Sequence, residues 1–158
     1  MIETTSPSLA DEIQRQTYEL VHYIGICDRF CVQELGVTAS QGYILLALPE
    51  MDIITMNDLS LKMRLANSTM TRMVDQLVQK GMVVRETYNQ DRRIVHVRLT
   101  AQGYDVKTRL KNTLQDFFTQ VLGNLPENRK GEIVEGLEVL NQSIVKTLNA
   151  CCGSELAD

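Results

Sequence analysis

The chain has 158 residues, of which 44% are apolar and 23% charged, the ordinary balance of a globular protein. This length fits one domain, or one small domain that shares its core with an oligomerisation element. Its apolar runs are far shorter than a membrane span, and its N-terminus lacks the basic and apolar regions of a secretory signal. We therefore expect a cytoplasmic protein with no membrane partner, in which the four cysteines are reduced.

Charge is unevenly distributed along the chain, whose overall net charge is −4. Residues 55–100 hold eight basic and four acidic residues, whereas the remainder holds eight basic and sixteen acidic ones. A basic middle between acidic ends is typical of a DNA-contacting module with acidic supporting parts. The same pattern also suits an ordinary solvated surface, so charge alone does not decide for a nucleic-acid partner.

Three residues predict the starts of the first three helices. Ser8, Thr38 and Thr55 each precede an acidic residue or a glutamine by three positions, which is the spacing of a capping box. The first helix carries an apolar stripe for about seven turns, and we expect it to end at Gly36. A short buried helix follows and ends before Pro49.

The middle of the chain changes from a helical to an extended pattern. After a brief turn at residues 64–66, a helix is predicted whose inner stripe is Met70, Met73, Val74 and Leu77. Gly81 follows it at the position of a left-handed C-cap. The apolar period then falls to 2, which predicts strands at residues 83–87 and 94–99 around a polar turn.

Two long helices complete the chain, the first beginning at Thr100 and ending before Leu125-Pro126. The last helix carries a broad apolar stripe at Ile133, Leu137, Leu140, Ile144, Leu148 and Cys151. If exposed, such stripes would form the large apolar patches that soluble monomers avoid. A twofold homodimer with interdigitated first and last helices would cover them. A monomeric helical bundle is the alternative.

Two short helices joined by a tight turn, then a hairpin with a basic tip, form a unit suited to reading DNA. The second helix fits the major groove, and the hairpin can reach an adjacent minor groove. Opposite its inner stripe this helix offers short hydrogen-bonding side chains and one arginine, namely Asn67, Ser68, Thr71, Arg72 and Asp75. An ordinary polar helix surface is the alternative interpretation.

The predicted fold is therefore mainly α with a small β-hairpin wing. A winged helix-turn-helix DNA-binding lobe is expected at residues 37–100. A helical dimerisation region is expected from residues 1–36 together with residues 101–158.

The hairpin resembles the wing of the multiple-antibiotic-resistance regulator (MarR) family. The stretch Asn89–Gly103 reads NQDRRIVHVRLTAQG, in which an acid, Arg-Arg and alternating apolar residues precede Leu-Thr-x-x-Gly. Upstream, Ser68–Val83 resembles the family's recognition helix and its exit glycine, and the helix order fits over nearly the whole chain. The resemblance implies a homodimer that binds a palindromic double-stranded DNA operator. It further implies repression in most cases, with release by a small ligand or by thiol oxidation.

The resemblance also implies roles for individual residues. Arg93 would enter the minor groove, Asp91 would orient it, and Arg92 would contact a neighbouring phosphate. Ala66 stands where relatives commonly have a serine, so we expect Asn67 to cap the recognition helix one residue later. The predicted DNA-binding residues are Asn67, Ser68, Thr69, Thr71, Arg72, Asp91, Arg92 and Arg93.

The sequence carries no recognisable catalytic motif. It lacks Gly-x-Ser-x-Gly, a Walker loop, His-Glu-x-x-His and a dinucleotide fingerprint. Its two histidines, His22 and His96, are far apart along the chain, which favours packing or surface roles over metal binding. We expect no enzyme activity, no cofactor and no metal site.

The four cysteines allow two interpretations. Cys27 and Cys31 share one helix face, and Cys151 and Cys152 are adjacent near the end of the last helix. If the first and last helices pack together in a dimer, these thiols could bind a soft metal or metalloid, or form a disulfide with an oxidant. Alternatively they are small core hydrophobes, since Cys27, Cys31 and Cys151 continue apolar stripes.

The effector and two rival functions remain open at this stage. Tyr23, Phe30 and Tyr43 could line a small-molecule pocket, or belong to the core. One rival is a thiol-redox or soft-metal-responsive protein whose winged helix serves protein contacts, and another is a winged-helix module of a larger assembly. The Asp-Arg-Arg arrangement of residues 91–93 favours an operator-binding regulator, because a protein-contact wing needs no minor-groove arginine.

Overall fold

The computed structural model describes residues 8–87 and 94–152. Its elements in chain order are α1 (Leu9–Val32), α2 (Ala39–Ala47), β1 (Ile54–Thr55), α3 (Met56–Met63), α4 (Asn67–Gln79), β2 (Val83–Thr87), β3 (Val95–Leu99), α5 (Ala101–Gly123), a 3-10 turn (Glu127–Arg129) and α6 (Lys130–Cys152). This mainly helical fold with a small antiparallel sheet confirms the predicted class.

Side-chain caps fix the starts of four helices, as the sequence predicts. Ser8 and Thr38 form full capping boxes at α1 and α2, and Thr55 caps α3. Thr100 caps α5 by accepting the Gly103 backbone N–H. Each cap satisfies an amide that the first turn of a helix leaves without a partner.

The end of α1 lies four residues before the predicted one. The helix stops at Val32, and residues 33–36 form a turn in which Gly36 has a φ of +68°. Glycine tolerates this left-handed conformation because it has no Cβ. Gly36 therefore ends the turn and not the helix itself.

The sheet has three strands, one more than the predicted hairpin. β2 and β3 pair antiparallel with Val83 opposite Leu99, and β1 adds to the other edge of β3 with Ile54 opposite Val97. β1 has only two residues, too few for alternation to reveal it. The extra strand ties the segment before α3 to the base of the wing.

The buried core lies between α2, α3, α4 and the sheet, and α5 closes it. The inner stripe of α4 is confirmed, because Met70, Val74 and Leu77 are fully buried and Met73 is half-buried. The largest fully buried side chains are Ile44, Leu45, Leu48, Leu59, Met70, Leu77, Val74, Val83 and Val97. Lys107 of α5 is also buried and donates to the Leu48 carbonyl, so it attaches α5 to the end of α2.

The Leu-Thr-x-x-Gly motif joins the wing to α5 by close backbone packing. The Thr100 backbone N–H donates to the Met82 carbonyl at 3.0 Å, and its hydroxyl donates to the Gly81 carbonyl at 2.7 Å. A Cβ at position 103 would lie 1.9 Å from the Met82 carbonyl oxygen, so only glycine fits there. The motif thus fixes where α5 leaves the sheet.

The long helices leave much apolar surface outside this core. None of the described residues of α6 is buried. Large apolar side chains exposed on α1, α5 and α6 include Leu9, Ile13, Leu20, Val21, Phe117, Phe118, Leu122, Val134, Leu137, Ile144 and Leu148. Even so, no helix in the described ranges has the length and apolar content needed to cross a membrane.

Candidate nucleic-acid interface

The N-terminal half of α4 presents a polar face to solvent. Asn67, Ser68, Thr71 and Arg72 are all exposed, and Thr69 is half-buried beside them. Steps of one, four and five residues place the four exposed side chains on one side of the helix. The structure therefore brings together the helical members of the predicted DNA-binding set.

A tight turn sets α4 against α3. Arg64 takes a left-handed φ of +52° directly after α3, and the Leu65 backbone N–H donates to the Ser60 carbonyl at 3.0 Å. A non-glycine residue in this conformation is uncommon and is held there by its surroundings. The turn leaves two residues between α3 and α4 beyond Arg64, so the helices meet as a compact helix-turn-helix unit.

The predicted cap of α4 by Asn67 is wrong. Ala66 is the N-cap and provides no side-chain hydrogen bond, while Asn67 is the first helical residue. The Asn67 Nδ2 donates instead to Asn57 Oδ1 on α3, at 3.4 Å. The first amides of α4 are thus without a side-chain acceptor, the condition under which a helix start attracts an anion such as phosphate.

Asp75 does not face outward as a free DNA-contacting group. Its Oδ1 lies 2.7 Å from Nη1 of Arg85 on β2. The same guanidinium donates through Nη2 to the Thr71 carbonyl at 3.0 Å. Sequence reasoning missed Arg85 as a brace of α4, because nothing local to either residue indicates that a strand ten positions away returns to this helix.

Several other basic residues of the central segment also have partners within the chain. Lys62 donates to the Ala47 carbonyl at 2.7 Å, and Lys80 donates to the Gly36 carbonyl at 2.6 Å. Arg98 pairs with Glu86 across the wing strands at 2.5 Å. The net basic charge of residues 55–100 is therefore a poor count of DNA contacts, since much of it stabilises the lobe.

The wing tip lies outside the described residues, and with it Asp91, Arg92 and Arg93. The described strands on either side end at Thr87 and begin at Val95. Near the base of the wing a groove of about 420 Å³ separates α3, the start of α4 and β3. Its lining residues are Thr55, Met56, Asn57, Asp58, Asn67, Thr71, Ile94 and Val95.

Cys27 and Cys31 lie together in the core. Their sulfurs are 3.6 Å apart, and the two residues are 6% and 8% exposed. Burial, with the hydrogen bond to Cys31, raises the pKa of the Cys27 thiol to about 11. Because the thiolate is the reactive form, Cys27 is a weak nucleophile at neutral pH. Cys151 is exposed on α6, and the side chain of Cys152 lies outside the described part of the chain.

The three aromatic residues proposed for a ligand pocket do not line one together in the described part of the chain. Tyr43 borders a small cavity of about 10 Å³, room for one water molecule, together with Asp28, Val32, Ala39, Leu46, Leu110 and Leu114. Its hydroxyl donates to Asp28 Oδ2 at 2.7 Å, and burial raises the pKa of Tyr43 to about 12. Tyr23 and Phe30 are exposed on α1 and do not border this cavity.

Comparison with known proteins agrees with this arrangement. The model of the MarR family matches residues 37–95, which span α2 to the start of β3. An uncharacterized HTH-type transcriptional regulator of Bacillus subtilis, YdgJ, is 29% identical over 133 residues, covering 84% of this chain and 79% of its own. The HTH-type transcriptional repressor MdtR of Bacillus subtilis is 30% identical over 76 residues, covering 48% of each chain.

Among solved structures, mutant MarR from E. coli complexed with operator DNA superposes with a TM-score of 0.70 at 26% identity. The match covers 87% of this chain and 99% of that one. It extends beyond the DNA-binding lobe to the long helices, because α1 and α5 together with the lobe make up most of the matched length. The chain belongs to the MarR family of DNA-binding transcriptional regulators, which are not enzymes.

Proposed function

We propose that the protein is a sequence-specific repressor that binds a palindromic operator as a homodimer in the cytoplasm. The observation that carries the proposal is the exposed polar face at the start of α4, formed by Asn67, Ser68, Thr71 and Arg72. Short hydrogen-bonding side chains and one arginine suit base edges and nearby phosphates in a major groove. Thr69, beside them, lies within reach of the same groove.

The wing would complete each half-site. Arg93 enters the minor groove next to the major groove read by α4, Asp91 orients it, and Arg92 contacts a phosphate. The operator DNA bound to the mutant MarR from E. coli supports this mode of contact. Repression follows if the operator overlaps a promoter, and the name of MdtR as a repressor supports that direction.

The division of labour within the chain rests on the exposed apolar side chains. Residues 37–100 form the DNA-binding lobe, and residues 1–36 with 101–158 form the dimerisation region. In a single copy Leu137, Ile144 and Leu148 of α6 are each 40–42% exposed. Burying apolar surface contributes about 25 cal/mol per Å², so a second copy is the natural cover for this face. A twofold dimer then presents two α4 helices to a palindrome.

Release from DNA is proposed to follow binding of a small ligand. The burial of Cys27 and Cys31 and the raised pKa of Cys27 disfavour direct thiol modification at that pair. Tyr43, Tyr23 and Phe30 are the proposed ligand contacts, because all three lie on or against α1, which joins the lobe to the dimerisation region. Oxidants and soft metals stay as alternatives that act first on the exposed Cys151 and its neighbour Cys152.

Two measurements test the proposal. Selection from a random duplex library should enrich a sequence with twofold symmetry, and fluorescence anisotropy should show tighter binding to it than to random duplex with a steep salt dependence. Sedimentation should give twice the chain mass of 17.9 kDa. Equal affinity for every duplex would overturn sequence-specific binding, and enrichment of a site without symmetry would overturn the palindromic operator.

A further inference from the structure

Lys80 closes a hydrogen-bond network between the C-terminal end of α4 and the junction of α1 with α2. Its Nζ donates to the Gly36 carbonyl at 2.6 Å and to Gln41 Oε1 at 2.9 Å. These partners lie 44 and 39 residues earlier in the chain. Lys80 therefore does more than a local C-terminal lysine, which would interact only with the last carbonyls of its own helix.

Gln41 is the centre of this network. It is 4% exposed, and its Oε1 also accepts the Thr38 backbone N–H at 3.2 Å in the capping box of α2. Its Nε2 donates to Gln76 Oε1 on α4 at 2.9 Å. One buried amide thus holds α4 at two points, through Gln76 and Lys80, to the first turn of α2. A buried, fully bonded amide of this kind has one favourable orientation, which makes the link specific in direction.

The position of this link determines what it can control. It lies at the C-terminal end of α4, whereas the exposed residues from Asn67 to Arg72 lie at the N-terminal end. A helix of 13 residues is about 20 Å long, so a tilt of about 5° at one end moves the other by roughly 1.7 Å. Hydrogen bonds to base edges tolerate only a few tenths of an ångström. A small change at the network is therefore large at the reading end.

We propose that Lys80 is a positioning residue for DNA recognition, which sets the tilt of α4 through Gln41 and Gly36 without itself contacting DNA. The inference rests on the proposed reading of operator bases by α4. It assigns this lysine to the interior of the regulator, although its charge and its place on α4 would otherwise suggest a phosphate contact. Because Gly36 directly follows α1, the same link passes a shift of α1 to the reading end of α4.

The test compares full-length variants on two duplexes. Lys80→Met removes the donors, Lys80→Arg restores them, and Lys146→Met on the exposed part of α6 controls for the lost charge. Binding is measured to the duplex that wild type enriches from a random library and to an unselected duplex, over a range of salt concentrations. We expect Lys80→Met to lower affinity for the enriched duplex roughly three- to thirtyfold. Binding to the unselected duplex and the salt dependence should stay at wild-type values, and Lys80→Arg should recover part of the loss.

A phosphate contact gives a different result. Loss of one would weaken both duplexes equally and reduce the slope of log affinity against log salt by about 0.9. That outcome overturns the inference, as does wild-type discrimination in a folded Lys80→Met variant. If Lys80→Met does not fold, Gln76→Ala carries the test, because Gln76 is exposed and its loss leaves the core intact. Failure of wild type to enrich any duplex overturns the proposed function together with the inference, whereas equal loss on both duplexes overturns the inference alone.

Discussion

Arg85 on β2 and Asp75 on α4 form an ion pair of 2.7 Å, and the same arginine donates to the Thr71 carbonyl one turn earlier on α4. The pair connects the wing strand to the helix that carries the proposed base contacts. Asp75 is half-exposed and Arg85 less so, with side-chain exposures of 51% and 29%. The helix and the wing are thereby held in one relative orientation, which a duplex with adjacent major and minor grooves requires.

Breaking this pair should affect DNA binding more than folding. In a double-mutant cycle of Arg85→Met and Asp75→Asn, we expect a coupling free energy of unfolding of about 0.5–1 kcal/mol, since the pair is partly exposed. Operator affinity should fall in both single variants. Arg98→Met with Glu86→Gln is the matched control, because that pair joins two wing strands without contacting α4. Equal effects of the two pairs on DNA affinity would refute the bracing role.

Substitutions at the start of α4 should change base preference. Ser68→Ala and Arg72→Ala are expected to lower operator affinity and to relax discrimination at particular operator positions, by about 1–3 kcal/mol for a lost base contact. Gln79→Ala, exposed two turns further along the helix, should leave both unchanged. A panel of single-base operator variants measures this. If Ser68→Ala and Arg72→Ala weaken every duplex by the same factor, these residues touch only phosphate.

The wing arginine should contribute to affinity but not to folding. Arg93→Ala is expected to weaken operator binding by about 1–3 kcal/mol while the melting temperature and the dimer mass stay at wild-type values. Arg109→Ala, an exposed arginine of α5, controls for the lost charge. Wild-type affinity in a folded Arg93→Ala variant would rule out a minor-groove contact.

Charges on the exposed apolar face of α6 should disrupt the proposed dimer. Leu137→Glu combined with Ile144→Glu places two carboxylates where apolar surface would be buried, so we expect monomer or aggregate at micromolar concentrations. Gln142→Glu adds the same kind of charge at an exposed polar position of α6 and should keep the dimer. Sedimentation of the three chains decides, and a dimer mass with wild-type melting in the double variant would contradict the model.

The raised pKa of Cys27 predicts a loss of stability at high pH. Its ordinary value is 9.0 and its value in the folded chain about 11. The folded state thus keeps its proton where the unfolded state has lost it, and the free energy of unfolding falls as pH rises through this window. Urea unfolding between pH 8 and 11 should show a shallower decline for Cys27→Ala than for wild type. Parallel declines in the two chains would mean that Cys27 titrates normally.

The sequence by itself determined the local features of this fold. Ser8, Thr38, Thr55 and Thr100 begin helices because a cap needs only a hydroxyl and the amide three residues on, and both are read directly along the chain. The change from a 3.6 to a 2 period likewise placed β2 and β3, since alternation decides which side chains of a strand are buried. The motif at the wing identified the family on the same local grounds.

The tertiary structure alone decided which polar groups are available to DNA and which stabilise the lobe. Asp75, Lys62 and Lys80 resemble surface charges in the sequence, yet their partners are Arg85, Ala47 and Gly36, in other elements of the fold. Cys27 and Cys31 become poor sensors for a comparable reason, because their burial depends on what packs over α1. Each of these outcomes depends on the distance between groups remote in sequence. Folding fixes that distance, and no spacing along the chain records it.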